Sequence, residues 1–342
     1  MTDTASELRS TASALVAKGK GILAADESDG TIAKRFGSLD IPNTEENRRS
    51  YREMLFTTSQ VNEFISGVIL YDETIRQKAS DGTPFPELLK ERGITPGIKV
   101  DKGAKPLAGS PTEKVTEGLD GLRERLGEYR DMGARFTKWR AVIAIGDGIP
   151  TRYCINTNAH ALGRYAALSQ ETGLVPIVEP EVLIDGDHTI DRCEEVTTLV
   201  LQRTFDELFS QRVLFEGMLL KPNMVLSGKD AGEQAPVHEV AERTLRCFRR
   251  TVPAAVPGIV FLSGGQSDEL ATARLNAMNA TDDAPWEIAF SYSRALQGPA
   301  MRAWGGDAAN AEAAQEAFYL RAKLNSAARL GAYSEEMEPV PA

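Results

Sequence analysis

Lys221 closes the short apolar run Gly217-Met218-Leu219-Leu220-Lys221, and Pro222 follows at once. An apolar run between glycine and proline suits a buried strand, and the proline biases Lys221 toward extended geometry, so the strand ends there. Strand side chains alternate, which puts Lys221 on the face of Leu219 and its amine at the mouth of an apolar core. Burial disfavours the charged form, and a neutral amine attacks carbonyl carbon. Lys138 and Arg140 stand two apart and point to one side of a second strand. An ammonium at Lys138 beside Lys221 would disfavour a second positive charge there. It would help lower the Lys221 pKa from the reference ~10.4 toward the ~7–8 that suits a catalytic amine. Glu179 and Glu181 repeat the two-residue spacing around Pro180, and Asp26 ends the run Gly21-Ile22-Leu23-Ala24-Ala25. Forming an imine moves protons on and off oxygen, which is work for such carboxyl groups. Taken singly, each has a plainer reading: a lysine reaching water, solvated acids, a helix cap. Their joint position at strand ends favours chemistry.

Groups that bind anions occur in the same kind of place. In Ser263-Gly264-Gly265 the glycines let backbone N–H groups approach an anion, and Arg294 follows another strand. Lys99, Arg35 and Arg140 suit a second anion across the site. The three histidines, His160, His188 and His238, have no metal-ligand spacing, and neither GxxxxGK[ST] nor a strand-linked GxGxxG is present. Metal-dependent chemistry, nucleotide hydrolysis and hydride transfer therefore lose support.

Eight short strands are expected, near residues 22, 67, 97, 137, 177, 219, 260 and 289. Most pairs leave room for a helix, which predicts parallel βα units and, with eight of them, a closed barrel. Asp26, Lys99, Lys138, Glu179, Lys221, Ser263 and Arg294 all fall at or just past strand C-termini, where such a barrel carries its active site. Thr4-Ala5-Ser6-Glu7 reads as a capping box opening an N-terminal helix that stops at Gly19. Helices are also expected over 44–59, 112–130, 158–171, 191–209 and 239–250, and an Ala-rich C-terminal helix over 307–330. Residues 1–333 form one domain in this reading, and 334–342 a mobile tail.

The 342 residues are 42% apolar and carry a net charge of −10. An acidic chain is a poor general nucleic-acid binder. Cys154, Cys193 and Cys247 are widely spaced and form no disulfide framework, which fits a reducing cytoplasm. No basic-then-apolar leader opens the chain and no apolar run is long enough to cross a bilayer, so no membrane association is expected.

Eight collinear motifs resemble class I fructose-bisphosphate aldolase. They are Gly21-Ile22-Leu23-Ala24-Ala25-Asp26-Glu27-Ser28, Thr44-Glu45-Glu46-Asn47-Arg48-Arg49, Gly97-Ile98-Lys99-Val100-Asp101-Lys102-Gly103, Phe136-Thr137-Lys138-Trp139-Arg140, Val178-Glu179-Pro180-Glu181, Leu219-Leu220-Lys221-Pro222-Asn223-Met224, Phe261-Leu262-Ser263-Gly264-Gly265-Gln266 and Phe290-Ser291-Tyr292-Ser293-Arg294-Ala295-Leu296-Gln297. The likeness runs from about residue 8 to Tyr333. It implies a single (β/α)8 TIM barrel with extra N- and C-terminal helices. That barrel reversibly cleaves fructose 1,6-bisphosphate to dihydroxyacetone phosphate and glyceraldehyde 3-phosphate, without metal or other cofactor, usually as a homotetramer.

On that resemblance Lys221 forms the Schiff base, Glu179 moves protons, Asp26 orients hydroxyls, Lys138 is a nearby cation and Glu181 supports the charge network. Ser263, Gly264, Gly265, Ser291 and Arg294 match positions around the phosphate next to the ketone. Arg35, Lys99, Arg140, Ser28, Thr31 and Arg48 match positions around the other phosphate. Ser293 stands where many members carry glycine, and its N–H remains able to bind phosphate. Well-studied animal members end in tyrosine, whereas this chain ends Met337-Glu338-Pro339-Val340-Pro341-Ala342, so tail-assisted proton transfer is not expected. Two other readings stay open: a preference for sedoheptulose 1,7-bisphosphate or fructose 1-phosphate, and a non-catalytic binding barrel.

Overall fold

The computed structural model describes residues 2–281 and 284–339. Ten strands follow in chain order: β1 (Gly21–Ala24), β2 (Ile65–Leu70), β3 (Thr95–Lys99), β4 (Ala104–Pro106), β5 (Lys114–Thr116), β6 (Phe136–Ile143), β7 (Val175–Val182), β8 (Leu219–Leu220), β9 (Gly258–Phe261) and β10 (Glu287–Tyr292). β4 and β5 pair as an antiparallel hairpin. The other eight close a parallel barrel in the order β1-β10-β9-β8-β7-β6-β3-β2. These are the eight strands expected from the sequence.

Strand alternation divides the apolar residues into two layers. Leu23, Val68, Ile98, Trp139, Val178, Leu220, Ile259 and Phe290 face outward and pack under the surrounding helices. Ile22, Ala24, Ile69, Phe136, Val175, Ile177, Leu219, Val260 and Ala289 fill the barrel. Leu8, Ala12, Leu15 and Val16 belong to the same inner cluster, so the first helix, Thr2–Leu15, plugs the N-terminal end. The Phe136 ring lies where a side chain at Gly97 would have to go, which accounts for a glycine inside β3. With one end sealed by apolar packing, polar residues continuing the inward parity gather at the other.

Three local expectations need correction. Thr4 does not open the first helix, which is already helical from Thr2. The stretch 112–130 is not one helix: β5 occupies Lys114–Thr116, and the helix begins only at Leu122, after Gly121 in the left-handed region. The helix read over 158–171 starts earlier, at Arg152, with the Thr151 side chain accepting from the Cys154 N–H. In the segment read as a mobile tail, Glu338 accepts two hydrogen bonds from Arg321 Nη1 at 2.7 Å and one from Tyr333 Oη at 3.0 Å. Val340–Ala342 lie outside the described residues.

Candidate active site

Inward parity carries each strand's chemistry to one place. Lys138 and Arg140 follow Phe136 on β6, Glu179 and Glu181 follow Ile177 on β7, and Lys221 follows Leu219 just past β8. Asp26 follows Ala24, and Ser291 follows Ala289. Parallel register pairs Arg140 with Glu179 and Lys99 with Lys138, so the charged positions lie side by side. They line a cleft of about 640 Å³ at the C-terminal end of the barrel.

At its floor, Glu179 lies between two amines. Its Oε1 is 3.3 Å from Lys221 Nζ and its Oε2 is 3.2 Å from Lys138 Nζ. Lys138 Nζ is also 2.7 Å from Asp26 Oδ2. Lys138, Glu179 and Lys221 are each only 3% exposed, so water screens these charges weakly. Burial alone would push the Asp26 carboxyl up, but Lys138 and then Lys221 outweigh it and hold it well below the usual range. Burial likewise opposes the Lys138 ammonium, and Asp26 followed by Glu179 outweighs that and keeps it protonated far into base. Lys138 is thus a fixed cation between two carboxylates.

The wall at the ends of β9 and β10 is arranged for an anion. Gly264 and Gly265 have positive φ, +49° and +87°, and a β-carbon on Gly264 would meet Leu262 Cδ1 at 2.7 Å. Among the described residues, no acceptor takes their N–H groups and the Arg294 guanidinium has no hydrogen-bond or ion-pair partner. The Ser291 hydroxyl is buried and also lacks a partner. Desolvation and the neighbouring Arg35 make the charge on Arg294 harder to hold than usual, a cost that a bound phosphate would relieve.

Across the cleft, Lys99 Nζ is 2.6 Å from Asp101 Oδ1, and Arg140 pairs with Glu181 through Nε. The Ser28 and Thr31 hydroxyls lie 3.1 Å apart at the rim, beside Arg35. Arg48 is not part of the cleft lining. It forms a bidentate pair with Glu73, at 2.8 and 2.5 Å. Gly265 backs the lining, 3.7 Å from Arg294 Nη2 measured from its would-be β-carbon. Ser293, Ser263 and the remaining site residues expected from the sequence do line it.

Glu27, Lys34 and Asp101 also line the cleft and were not singled out from the sequence. Glu27 and Asp101 fall inside two of the quoted motifs and Lys34 adjoins Arg35, which are the signals that could have found them. Among the described residues, no three His, Cys, Asp or Glu side chains gather as a metal site. His160 instead pairs with Glu207 at 3.1 Å on the surface.

A family model described as fructose-bisphosphate aldolase class-I matches residues 7–340. A probable fructose-bisphosphate aldolase class 1 of Xanthomonas campestris is 59% identical over 95% of this chain and 98% of its own length. Fructose-bisphosphate aldolase 6, cytosolic, of Arabidopsis thaliana is 54% identical over 96% of this chain and 92% of its own. The solved fructose-bisphosphate aldolase of Plasmodium falciparum superposes with a TM-score of 0.96 at 49% identity, covering 98% of this chain and 97% of that one.

Proposed function

The chain belongs to the class I fructose-bisphosphate aldolase family and is a lyase that interconverts fructose 1,6-bisphosphate with two triose phosphates, and we propose that it does so through an imine on Lys221. The observation that carries this reading is the carboxylate of Glu179 set between two buried amines. Lys221 Nζ in its free-base form attacks the ketone carbon, and the carbonyl oxygen takes a proton to give a carbinolamine. Glu179, having taken the proton that Lys221 sheds to become the free base, returns it to that hydroxyl, which leaves as water as the C=N⁺ bond forms. The Glu179 carboxylate then takes the proton from the hydroxyl at C4, and the C3–C4 bond breaks. Its electrons pass to the iminium, glyceraldehyde 3-phosphate leaves and an enamine remains. Protonation of the enamine carbon and hydrolysis of the imine release dihydroxyacetone phosphate and restore the amine.

The invariant charge on Lys138 supports the developing oxyanion, and the carboxylate of Asp26, kept ionised, accepts from substrate hydroxyls. Ser263, Gly264, Gly265, Ser291 and Arg294 hold one phosphate. Lys99, Arg140, Arg35, Ser28 and Thr31 hold the other. Arg48 pairs with Glu73 outside the cleft lining. The protein works in the cytoplasm, in keeping with the cytosolic plant relative, and no helix among the described residues is long and apolar enough to cross a membrane. It assembles as a homotetramer, to which the exposed Tyr153, Leu199 and Phe209 offer apolar surface. A coupled assay of fructose 1,6-bisphosphate cleavage in excess chelator tests the reading. Full turnover that disappears in Lys221→Met is expected; turnover that chelation abolishes would overturn it.

A further inference from the structure

The buried carboxylate of Glu27 gathers groups from four separate parts of the chain. Arg52 Nη2 lies 2.6 Å from Oε2. Oε1 accepts from Arg35 Nη1, from the Ser293 hydroxyl at 2.8 Å and from Gln297 Nε2 at 2.9 Å. Gln297 is itself fixed, donating to the Ala24 carbonyl at 2.7 Å and accepting from Tyr51 Oη at 3.1 Å. The cluster therefore joins the end of β1, the helix Asp29–Gly37, the helix Glu45–Thr57 and the turn after β10.

Within it, Ser293 Oγ plays two parts at once: it donates to Glu27 and accepts from Arg35 Nη1 at 3.0 Å. Serine and carboxylate hold the same guanidinium nitrogen. No described residue accepts from Nε or Nη2 of Arg35, yet Arg35 lines the cleft with Arg294 nearby. A long arginine side chain tied at one nitrogen loses its freedom before any ligand arrives, and its remaining donors are then presented at less entropic cost. A glycine at 293 would leave Arg35 with the carboxylate alone, about which it can swing.

We infer that Ser293 is a positioning residue for substrate phosphate: with Glu27 it locks Arg35 through Nη1 and leaves the other guanidinium nitrogens for the phosphate held with Lys99, Arg140, Ser28 and Thr31. This rests on reading the cleft as the sugar-bisphosphate site. The hydroxyl acts only through Arg35, so its loss shows in substrate affinity and not in the bond-making steps.

The test is a double-mutant cycle in steady-state cleavage of fructose 1,6-bisphosphate, with inhibition by inorganic phosphate as a second readout. Ser293→Gly is expected to raise KM and the phosphate inhibition constant about five- to tenfold, the net worth of one ordinary hydrogen bond, with kcat changed less than about twofold. Ser293→Thr, which keeps the hydroxyl, restores KM. In an Arg35→Ala background, Ser293→Gly adds no further rise. Should Ser293→Gly leave KM unchanged, or multiply fully with Arg35→Ala, the inference is overturned. Ser293→Ala serves the same cycle if the glycine variant is poorly folded. Absent turnover in the unaltered protein would instead remove the reading of the cleft itself.

Discussion

Replacing Lys138 with methionine should expose how the floor of the cleft is balanced. Lys138 Nζ is the cation nearest Asp26, at 2.7 Å, and it also lies 3.2 Å from Glu179. Its removal leaves two carboxylates in a site where the Asp26 and Glu179 side chains are 11% and 4% exposed. Removing one partner of a buried pair costs about 3–5 kcal/mol, and the low exposure here places the expected loss inside that range at pH 7.

The pH dependence has a definite sign. In the unaltered protein the Asp26 carboxyl lies below its unfolded value, so its contribution to stability is present above the usual carboxylate range and is lost as pH falls through the folded value. Without Lys138 the burial that pushes this carboxyl up loses its strongest opponent, and the group destabilises the fold at neutral pH until acid protonates it. The gap between the two proteins should therefore be widest at neutral pH and narrow as acid protonates the carboxyl, as measured by urea denaturation at several pH values. Asp26→Asn combined with Lys138→Met should recover part of the loss. A gap below about 1 kcal/mol, or one that grows on acidification, would refute the charge balance described here.

Glu179→Gln should keep the fold but slow imine formation by about 10²–10⁴-fold, because the amide cannot shuttle the proton; rapid-quench single turnovers measure this, and an unchanged rate would assign the proton to another group. Glu338→Gln should weaken the clamp on Arg321 and cost about 1.5–3 kcal/mol locally, since both contacts at 2.7 Å are charge-assisted. Limited proteolysis would show faster cleavage after Tyr333, and unchanged protection would mean the clamp does not hold that segment.

The barrel was legible because alternation is a local signal. Leu219 and Lys221, Ile177 and Glu179, or Phe136 and Lys138 reveal in adjacent positions which face is apolar and where polarity begins. The hairpin β4–β5 was not legible: its strands are three residues each and largely exposed, so charges that suit a helix suit an exposed strand equally. The Glu27 cluster was hidden for another reason. Its partner Ser293 lies 266 residues away, and nothing near either residue announces the contact. Arg48 is a different case: a motif position suggests a phosphate ligand, and the structure pairs its guanidinium with Glu73, 25 residues along the chain.

The central claim is that the amine of Lys221 becomes covalently joined to substrate. Adding dihydroxyacetone phosphate with borohydride and mapping the protein by mass spectrometry tests it directly. A reduced adduct confined to the peptide containing Lys221, with activity lost in step, is the predicted result. An active preparation whose Lys221 peptide stays unmodified, or an adduct carried by Lys138, would contradict it.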